Sequence, residues 1–177
     1  MRIAVVTISD RASRGQYEDL SGPAVEAWLR ETVVTPFEII RRVIPDGIAS
    51  VRDTLLALCD DQHAALILTT GGTGPALRDE TPEAMREVVT KELPGFGEQL
   101  RRASLEQTPT AILSRQMAGT RGKTLIINLP GKPGSIRFSL DAIFAAVPYC
   151  LDLIGAGSMD TDPARIKAFR PTVPSSS

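Results

Sequence analysis

The most informative stretch of the chain is Leu66-Ile67-Leu68-Thr69-Thr70-Gly71-Gly72-Thr73-Gly74-Pro75, an apolar run that predicts a β-strand ending in a loop of glycines and threonines. Glycines allow a backbone to approach a ligand closely and to turn its N–H groups toward an anion, and threonines add hydroxyl donors. Arg78-Asp79-Glu80-Thr81-Pro82 follows at once and brings two carboxylates to a place where a metal ion could join a phosphate. The stretch therefore predicts a phosphate-holding loop with an acidic partner.

Two common phosphate-binding motifs are excluded at this loop. The P-loop pattern Gly-x-x-x-x-Gly-Lys-Ser/Thr is missing, together with its lysine. The dinucleotide pattern Gly-x-Gly-x-x-Gly is missing as well, because neither the glycine spacing nor a downstream acid for the ribose fits. A generic Rossmann-type oxidoreductase is therefore disfavoured.

Length and composition predict one α/β domain. The chain has 177 residues, of which 42% are hydrophobic and 23% are charged. Its 20 basic and 21 acidic residues give a net charge of −1, so no basic face for nucleic acid or for a membrane surface is indicated. Met1–Val6 has the pattern of a strand rather than a signal peptide, and no run approaches the roughly 18 apolar residues of a membrane span. We expect a cytoplasmic protein with a single domain over residues 1–160 and a Pro/Ser-rich tail over 161–177.

The few cysteines and histidines exclude several chemistries. Cys59 and Cys150 lie in apolar helical patterns, which favours reduced core residues over a disulfide or a reactive thiol. His63 is the single histidine and lies in polar surroundings, which are typical of a surface residue. Ser-His-Asp catalysis and histidine-rich zinc sites are therefore nearly excluded.

Predicted strands and helices alternate along the chain. Strands are predicted at Ile3–Ser9, Phe37–Ile44 and Ala65–Leu68, and a β-hairpin at Ala111–Gly119 and Lys123–Leu129. A first helix is predicted to begin near Pro23. Further helices are predicted at Ile48–Cys59, from Thr81 to about Glu92, at Gly97–Leu105 and at Ile136–Ile154. This alternation predicts a mostly parallel sheet covered by helices on both faces.

In such sheets, ligands bind beyond the carboxyl ends of the strands. The rule gathers hydroxyls, carboxylates and two glycine-rich turns into one predicted site, namely Ser9, Asp10, Asp46, Thr70, Gly71, Gly72, Thr73, Gly74, Pro130, Gly131 and Ser135. Asp46 and Asp79 are expected to face the same crevice, and such a carboxylate pair suits magnesium-assisted phosphate transfer. Alternatively, Asp46 shapes a turn before Gly47, and Asp79 caps a turn or pairs with Arg78. Spacing alone leaves these interpretations equal.

Further polar residues have both a binding and a structural interpretation. Ser135 opens the last predicted helix, where free N–H groups can seat a phosphate, and a simple N-cap is the alternative. Ser114 and Arg115 could reach a ligand, although the pattern favours ordinary strand residues. Arg11 and Arg14 flank the predicted site and could hold an anion or lie in solvent.

Eight motifs follow one another in order between Ile3 and Leu153. They read Ser9-Asp10-Arg11-Ala12-Ser13, Ile44-Pro45-Asp46, Thr69–Pro75, Arg78-Asp79-x-Thr81-Pro82, Pro94-Gly95-Phe96-Gly97-Glu98, Thr110-Ala111-Ile112-Leu113-Ser114-Arg115, Asn128-Leu129-Pro130-Gly131 and Val147-Pro148-Tyr149-Cys150. Together they resemble the bacterial Mog-type molybdopterin adenylyltransferases. One glycine loop would be unspecific, whereas eight ordered motifs are highly specific. One departure is that the segment between Ser135 and Ala145 is shorter than in some bacterial relatives.

The resemblance implies a three-layer α/β/α molybdopterin-binding fold, usually assembled as a homotrimer. It implies transfer of AMP from ATP to the terminal phosphate of molybdopterin, with release of pyrophosphate, in molybdenum cofactor biosynthesis. The product would pass to a molybdate-inserting enzyme. By motif, Asp46 and Asp79 match functional aspartates that would organise Mg²⁺ and nucleotide, with Glu80 or Asp10 assisting, and Thr70–Gly74 match the loop for the pterin phosphate. The alternative is a carrier that binds molybdopterin without adenylating it, and the intact aspartate pair argues against that.

Overall fold

A six-stranded sheet forms the centre of the molecule, described here from a computed structural model for residues 1–171. The strands are β1 (Arg2–Ile8), β2 (Glu38–Ile44), β3 (Leu66–Thr70), β4 (Lys91–Glu92), β5 (Ala118–Arg121) and β6 (Thr124–Leu129). They lie side by side in the order β2-β1-β3-β6-β5-β4. The first four of these are parallel, whereas β5 pairs antiparallel with both β6 and β4. The predicted mostly parallel sheet with a β-hairpin is therefore confirmed.

Helices connect the strands. Within residues 1–171 the α-helices are α1 (Asp10–Ser13), α2 (Ser21–Thr32), α3 (Ile48–Leu56), α4 (Thr81–Arg86), α5 (Pro94–Leu105), α6 (Pro133–Ile143) and α7 (Val147–Leu153). A π-helical turn follows α3 at Ala57–Asp61, and 3₁₀ turns occupy Pro109–Leu113 and Phe144–Ala146. None of the helices in this part of the chain is long and apolar enough to cross a membrane.

The sheet separates two hydrophobic cores and so makes three layers. Leu66 and Leu68 of β3 point into the core beneath α2, α5, α6 and α7, whereas Ile67 points into the core beneath α3 and α4. This alternation follows from the twofold periodicity of a strand. In the first core, Trp28 packs edge-on against Phe144 with 4.6 Å between ring centroids, so Trp28 is a core residue as predicted. The three-layer α/β/α architecture is confirmed.

The structure corrects several element boundaries. The first hairpin arm begins at Ala118 rather than at Ala111, because Pro109–Leu113 forms a 3₁₀ turn and the chain is irregular from there to β5. Helix α4 ends at Arg86 rather than near Glu92, since Lys91–Glu92 pairs with β5 as an edge strand.

Two further predicted helices also differ from the structure. Helix α5 begins at Pro94 rather than at Gly97, so the Gly95-Phe96-Gly97 segment is helical. The final helix, predicted over Ile136–Ile154 with a bend at Pro148, is divided by the turn at Phe144–Ala146. Pro148 lies in the first turn of α7, where its missing N–H has no helical partner to lose.

The end of the described chain packs against the domain. Thr161 forms an isolated bridge with Val33, and the Nε of Arg170 donates to the carboxylate of Asp152 over 2.5 Å. The division into a domain over 1–160 and a tail over 161–177 stays a prediction, and residues 172–177 lie outside the described residues.

Both cysteines are free thiols, as predicted. Cys59 is buried, and burial raises the pKa of its thiol to about 11. Cys150 is half-buried beside the first core, and its pKa is raised by the same cause. Because the thiolate is the nucleophilic form, neither group is poised for thiol chemistry near neutral pH.

Candidate active site

A cleft of about 390 Å³ opens at the carboxyl ends of the parallel strands. The strand register brings these ends together, because Ile8 lies beside Ile44, and Thr70 lies beside Thr7 and Leu129. The predicted site residues that line the cleft are Ser9, Asp10, Asp46, Thr70, Gly71, Gly72, Asp79 and Gly131. The two aspartates and the start of the glycine loop thus line one cavity, at the edge of the sheet where the strand exits predicted them.

Gly71 and Gly72 lie where a side chain does not fit. Gly71 has a φ of 105°, and a Cβ on it would lie 2.2 Å from the carbonyl oxygen of Ile8. Gly72 has a φ of 63°, and its Cβ would lie 2.3 Å from Oγ1 of Thr81. Residues with side chains rarely adopt such φ values. Both positions therefore require glycine for conformation and for space.

The glycine loop is held by its carbonyl groups, which leaves its N–H groups free. Thr81 donates from Oγ1 to the carbonyl of Gly71 over 3.0 Å and from its own N–H to the carbonyl of Gly72 over 3.1 Å. Within residues 1–171, the backbone N–H groups of Gly71, Gly72 and Thr73 donate to no protein acceptor. Successive unpaired N–H groups in a turn can form an anion-binding concavity, and Gly71 and Gly72 line the cleft.

Asp10 and Asp46 hold each other across two strand exits. The N–H of Asp10 donates to Oδ2 of Asp46 over 2.9 Å, and the N–H of Asp46 donates to Oδ1 of Asp10 over 3.3 Å. Asp46 also borders the glycine loop, since a Cβ on Gly72 would lie 3.7 Å from its Oδ1. Oδ2 of Asp46 thus joins two strand exits, and no bond from its carboxylate to the local turn before Gly47 is observed within residues 1–171, where its Oδ1 accepts no hydrogen bond.

Asp79 has a similar division between its two oxygens. Its Oδ2 accepts the N–H of Ala76 over 3.1 Å, and its own N–H donates to the carbonyl of Ala76 over 2.8 Å. The predicted alternative of an ion pair with Arg78 is not observed within residues 1–171, where Oδ1 of Asp79 accepts no hydrogen bond. Asp79 thus shapes a turn and still presents one carboxylate oxygen.

The donor set fits a hard cation that is shared with a substrate. Within residues 1–171 there is no group of three or more histidine, cysteine, aspartate or glutamate side chains that could hold a metal alone. Asp46 and Asp79 line the same cleft, and each has one oxygen free of protein hydrogen bonds in the described part of the chain. Magnesium commonly takes one or two carboxylates and completes its shell with water and substrate phosphates. These residues suit that arrangement.

Basic and aromatic side chains of the cleft were only partly predicted. Arg11 lines the cleft, which agrees with its interpretation as a residue that could hold an anion there. Its guanidinium lies 5.3 Å from the ring centroid of Tyr17. Arg78, Lys132 and Tyr17 also line the cleft and were missed. For two of them the signal was position, because Arg78 is adjacent to Asp79 and Lys132 lies within the second glycine-rich turn. The three cations balance the three carboxylates among the lining residues, and each of them can donate charge-assisted hydrogen bonds to an anionic ligand.

Asp19 supports the floor of the cleft and was also missed. It accepts hydrogen bonds from Oγ1 of Thr7 over 2.9 Å and from Oγ of Ser21 over 3.2 Å. It also accepts the N–H of Gly22, and Arg41 pairs with it over 2.6 Å. Thr7 and Ser21 line the cleft, so this largely buried carboxylate fixes two hydroxyls in it.

Seven predicted site residues lie outside the cleft lining, namely Thr73, Gly74, Glu80, Ser114, Arg115, Pro130 and Ser135. Ser135 lies inside the first turn of α6, whose N-cap is Lys132, so the N-cap interpretation was wrong. Ser114 donates from Oγ to Oε1 of Gln116 over 2.7 Å, and the carbonyl of Pro130 accepts Oγ1 of Thr70 over 2.9 Å. The favoured interpretation of Ser114 and Arg115 as strand residues was also wrong, because both precede β5.

Arg115 contacts the loop after the glycines instead of the cleft. Its Nε donates to the carbonyl of Gly74 over 2.9 Å, and its Nη groups bind the carbonyl of Asp79 and the carboxylate of Glu83. The hydrogen bond from Arg115, together with its positive charge, holds the pKa of Glu83 below its ordinary value of 4.5. The Glu83 carboxylate therefore stays ionised at neutral pH and keeps this pair.

Comparison with known proteins gives a consistent result. Residues 4–149 match the family described as "Probable molybdopterin binding domain". The chain is 53% identical over 171 residues to the molybdopterin adenylyltransferase of Helicobacter pylori strain J99, with 97% of each chain covered. It is 49% identical over 183 residues to the molybdopterin adenylyltransferase of Escherichia coli K12, with 97% of this chain and 94% of that protein covered.

A solved structure agrees with these sequence relatives. The molybdopterin biosynthesis enzyme MoaB from Thermus thermophilus superimposes with a TM-score of 0.81 at 40% identity, covering 89% of this chain and 98% of its own. The alignment with the E. coli protein spans 183 positions, which is more than the 177 residues of this chain. The E. coli protein therefore has residues in that alignment that this chain lacks.

The close approach of the glycine loop generates a stability prediction. Gly71→Ala combines an unfavourable φ with a clash against the Ile8 carbonyl, so we expect a loss of about 3 kcal/mol or more in the free energy of unfolding. Gly47→Ala is the matched control, because Gly47 has a φ of 111° and no atom lies within 4 Å of the place that a Cβ would take. It should lose only about 1–2 kcal/mol. Urea denaturation measures both, and equal losses would show that contact with Ile8 is unimportant.

Proposed function

The chain belongs to the molybdopterin-binding domain family, and we propose that it is a molybdopterin adenylyltransferase of molybdenum cofactor biosynthesis. The relatives with that name align over almost the whole chain at about half identity. The observation that carries the proposal is that one cleft is lined by Gly71 and Gly72, whose N–H groups are unpaired among the described residues, and by two aspartates that each keep one oxygen free of hydrogen bonds there. A loop of this kind fits the phosphate of one substrate, and the carboxylates would hold the phosphates of another through a bound divalent cation.

The reaction joins the two phosphates. An oxygen of the terminal phosphate of molybdopterin attacks the α-phosphorus of ATP, and the bond from that phosphorus to the bridging oxygen breaks. Pyrophosphate leaves, and AMP stays attached to molybdopterin through a new phosphorus–oxygen bond. The chain needs no covalent nucleophile, because positioning and charge stabilisation supply most of the catalysis in such transfers.

Each group of the cleft then has a role. The N–H groups of Gly71 and Gly72 hold the molybdopterin phosphate, with Thr70, Ser9 and Gly131 forming the surrounding wall and Thr73 at the outer end of the same loop. Arg11, Arg78 and Lys132 offset the charge of the two substrates and of the leaving pyrophosphate. Asp10 assists by ordering Asp46 through the paired hydrogen bonds. Glu80 is proposed to assist only from its place next to Asp79, outside the cleft lining.

Asp46 and Asp79 would hold Mg²⁺ through their free oxygens. When bound, Mg²⁺ draws negative charge from the transferring phosphoryl group. The chain contributes fixed carboxylates, because each is already oriented by a backbone hydrogen bond and loses little entropy when it binds.

The enzymatic activity is tested with purified protein, ATP, Mg²⁺ and molybdopterin. We expect pyrophosphate and adenylyl-molybdopterin from the native chain, and a loss of at least about 100-fold in kcat for Asp79→Asn, because a neutral amide is a poor magnesium ligand. Molybdopterin binding should stay within about threefold in that variant. Tight binding of molybdopterin by the native chain without either product would favour a carrier instead.

Metal dependence is a separate prediction. Removal of divalent cations with EDTA should abolish adenylyl transfer, and Mg²⁺ should restore it. Asp46→Asn should raise the Mg²⁺ concentration needed for half-maximal rate by about tenfold or more, since one carboxylate is lost. Asp53→Asn serves as the control, because Asp53 is exposed on α3 and pairs with Arg52. Full turnover in EDTA would exclude the metal from the reaction.

We also propose that the chain is a cytoplasmic homotrimer that passes its product to a molybdate-inserting enzyme. A trimer of 19.0 kDa chains should give about three times that mass by light scattering coupled to size exclusion. A monomeric mass across micromolar concentrations would refute the trimer. Cell fractionation tests the location, and transfer of product in a mixed assay with an inserting enzyme tests the hand-over.

A further inference from the structure

The segment after the glycines has little of its own to hold it in place. Residues 73–79, here called the acidic loop, place Asp79 at the cleft, yet Leu77 in the middle of the loop is 99% exposed. The internal bonds of the loop are the two between Ala76 and Asp79. A surface loop with so few packed side chains opens easily unless another element restrains it.

Arg115 supplies that restraint from outside the loop. Its backbone N–H donates to the carbonyl of Thr73 over 2.8 Å, and its Nε donates to the carbonyl of Gly74 over 2.9 Å, so it holds the first residues of the loop. One Nη group binds the carbonyl of Asp79, so the same side chain also holds the last residue. The two ends of the acidic loop are thereby fixed relative to each other.

The other Nη group of Arg115 anchors this arrangement to a helix. It pairs with the carboxylate of Glu83 in the first turn of α4, and Glu80, the N-cap of that helix, is the single residue between the loop and the helix. Gly74 completes the closure, because a Cβ there would lie 2.8 Å from Oδ2 of Asp79. The distance between Gly74 and Asp79 is therefore set by Arg115 on one side and by the close approach of Gly74 to the Asp79 carboxylate on the other.

We propose that Arg115 is a positioning residue for adenylyl transfer, which sets Asp79 by clamping the acidic loop to α4, and that it does not bind substrate. This inference rests on the proposed function for its kinetic consequence. The clamping role requires a guanidinium group, because a planar fork can reach two carbonyls and a carboxylate at once. A lysine ammonium acts as a single point charge and cannot replace it. Misplacement of Asp79 by a fraction of an ångström would slow the transfer without removing the phosphate-binding N–H groups.

The test is Arg115→Lys in the full-length chain, with Arg86→Lys as the matched control. Arg86 also lies near Glu83, at 3.8 Å, but within residues 1–171 it forms no ion pair with the acidic loop. For Arg115→Lys we expect kcat to fall by about tenfold to 100-fold while the KM for molybdopterin changes less than about threefold. Arg86→Lys should keep both parameters within about twofold. Hydrogen–deuterium exchange should show faster exchange at residues 73–79 in Arg115→Lys alone.

The outcomes separate the two proposals. A native chain without adenylyl transfer refutes the proposed function, while the exchange measurement still tests the clamp. Unchanged exchange at residues 73–79 in Arg115→Lys refutes the clamp, and a tenfold rise in KM with unchanged kcat shows that Arg115 binds substrate instead. If Arg115→Lys does not fold, Glu83→Gln decides, because it weakens only the anchor. Faster loop exchange with lower kcat in Glu83→Gln supports the clamp, and native values of both overturn it.

Discussion

The contact between the backbone of Gly71 and the carbonyl of Ile8 is the constraint on which the rest of the site depends. Because no side chain separates them, the exits of β1 and β3 meet at backbone distance. The paired hydrogen bonds of Asp10 and Asp46 then add the exit of β2 to the same arrangement. The strand register, the conformation of Gly71 and the placement of the carboxylates therefore depend on one another.

The polar groups of the cleft show a consistent division of labour. Carbonyl oxygens and one oxygen of each aspartate are used inside the protein, by Thr81, Ala76 and the N–H of Asp10. The loop N–H groups and the second aspartate oxygens are left for a ligand. Internal bonds of this kind stiffen the groups that face the substrate, so their conformational entropy is lost during folding rather than during binding.

The parts of this molecule that sequence predicts best are those that obey local rules. Strand exits could be placed because apolar runs end abruptly at polar residues, and that located Asp10, Asp46 and the glycine loop. The irregular segment before β5 could not be placed, since apolar residues such as Ile112 are exposed there and mimic a strand pattern. Arg115 was assigned to a strand for the same reason. Its partners are backbone carbonyls 36 and 41 residues away, and no spacing rule encodes such contacts.

The two edges of the sheet show how a protein with open strand margins avoids pairing edge to edge. The outer strand on one side, β4, has only two residues, the exposed pair Lys91 and Glu92. The outer strand on the other side, β2, exposes the charged residues Glu38 and Arg42. A neighbouring chain that tried to extend the sheet would have to desolvate these charges or pair with too few residues. Charge and brevity at the margins therefore guard against sheet extension, and the polar cleft at the strand exits is left free to serve its ligands.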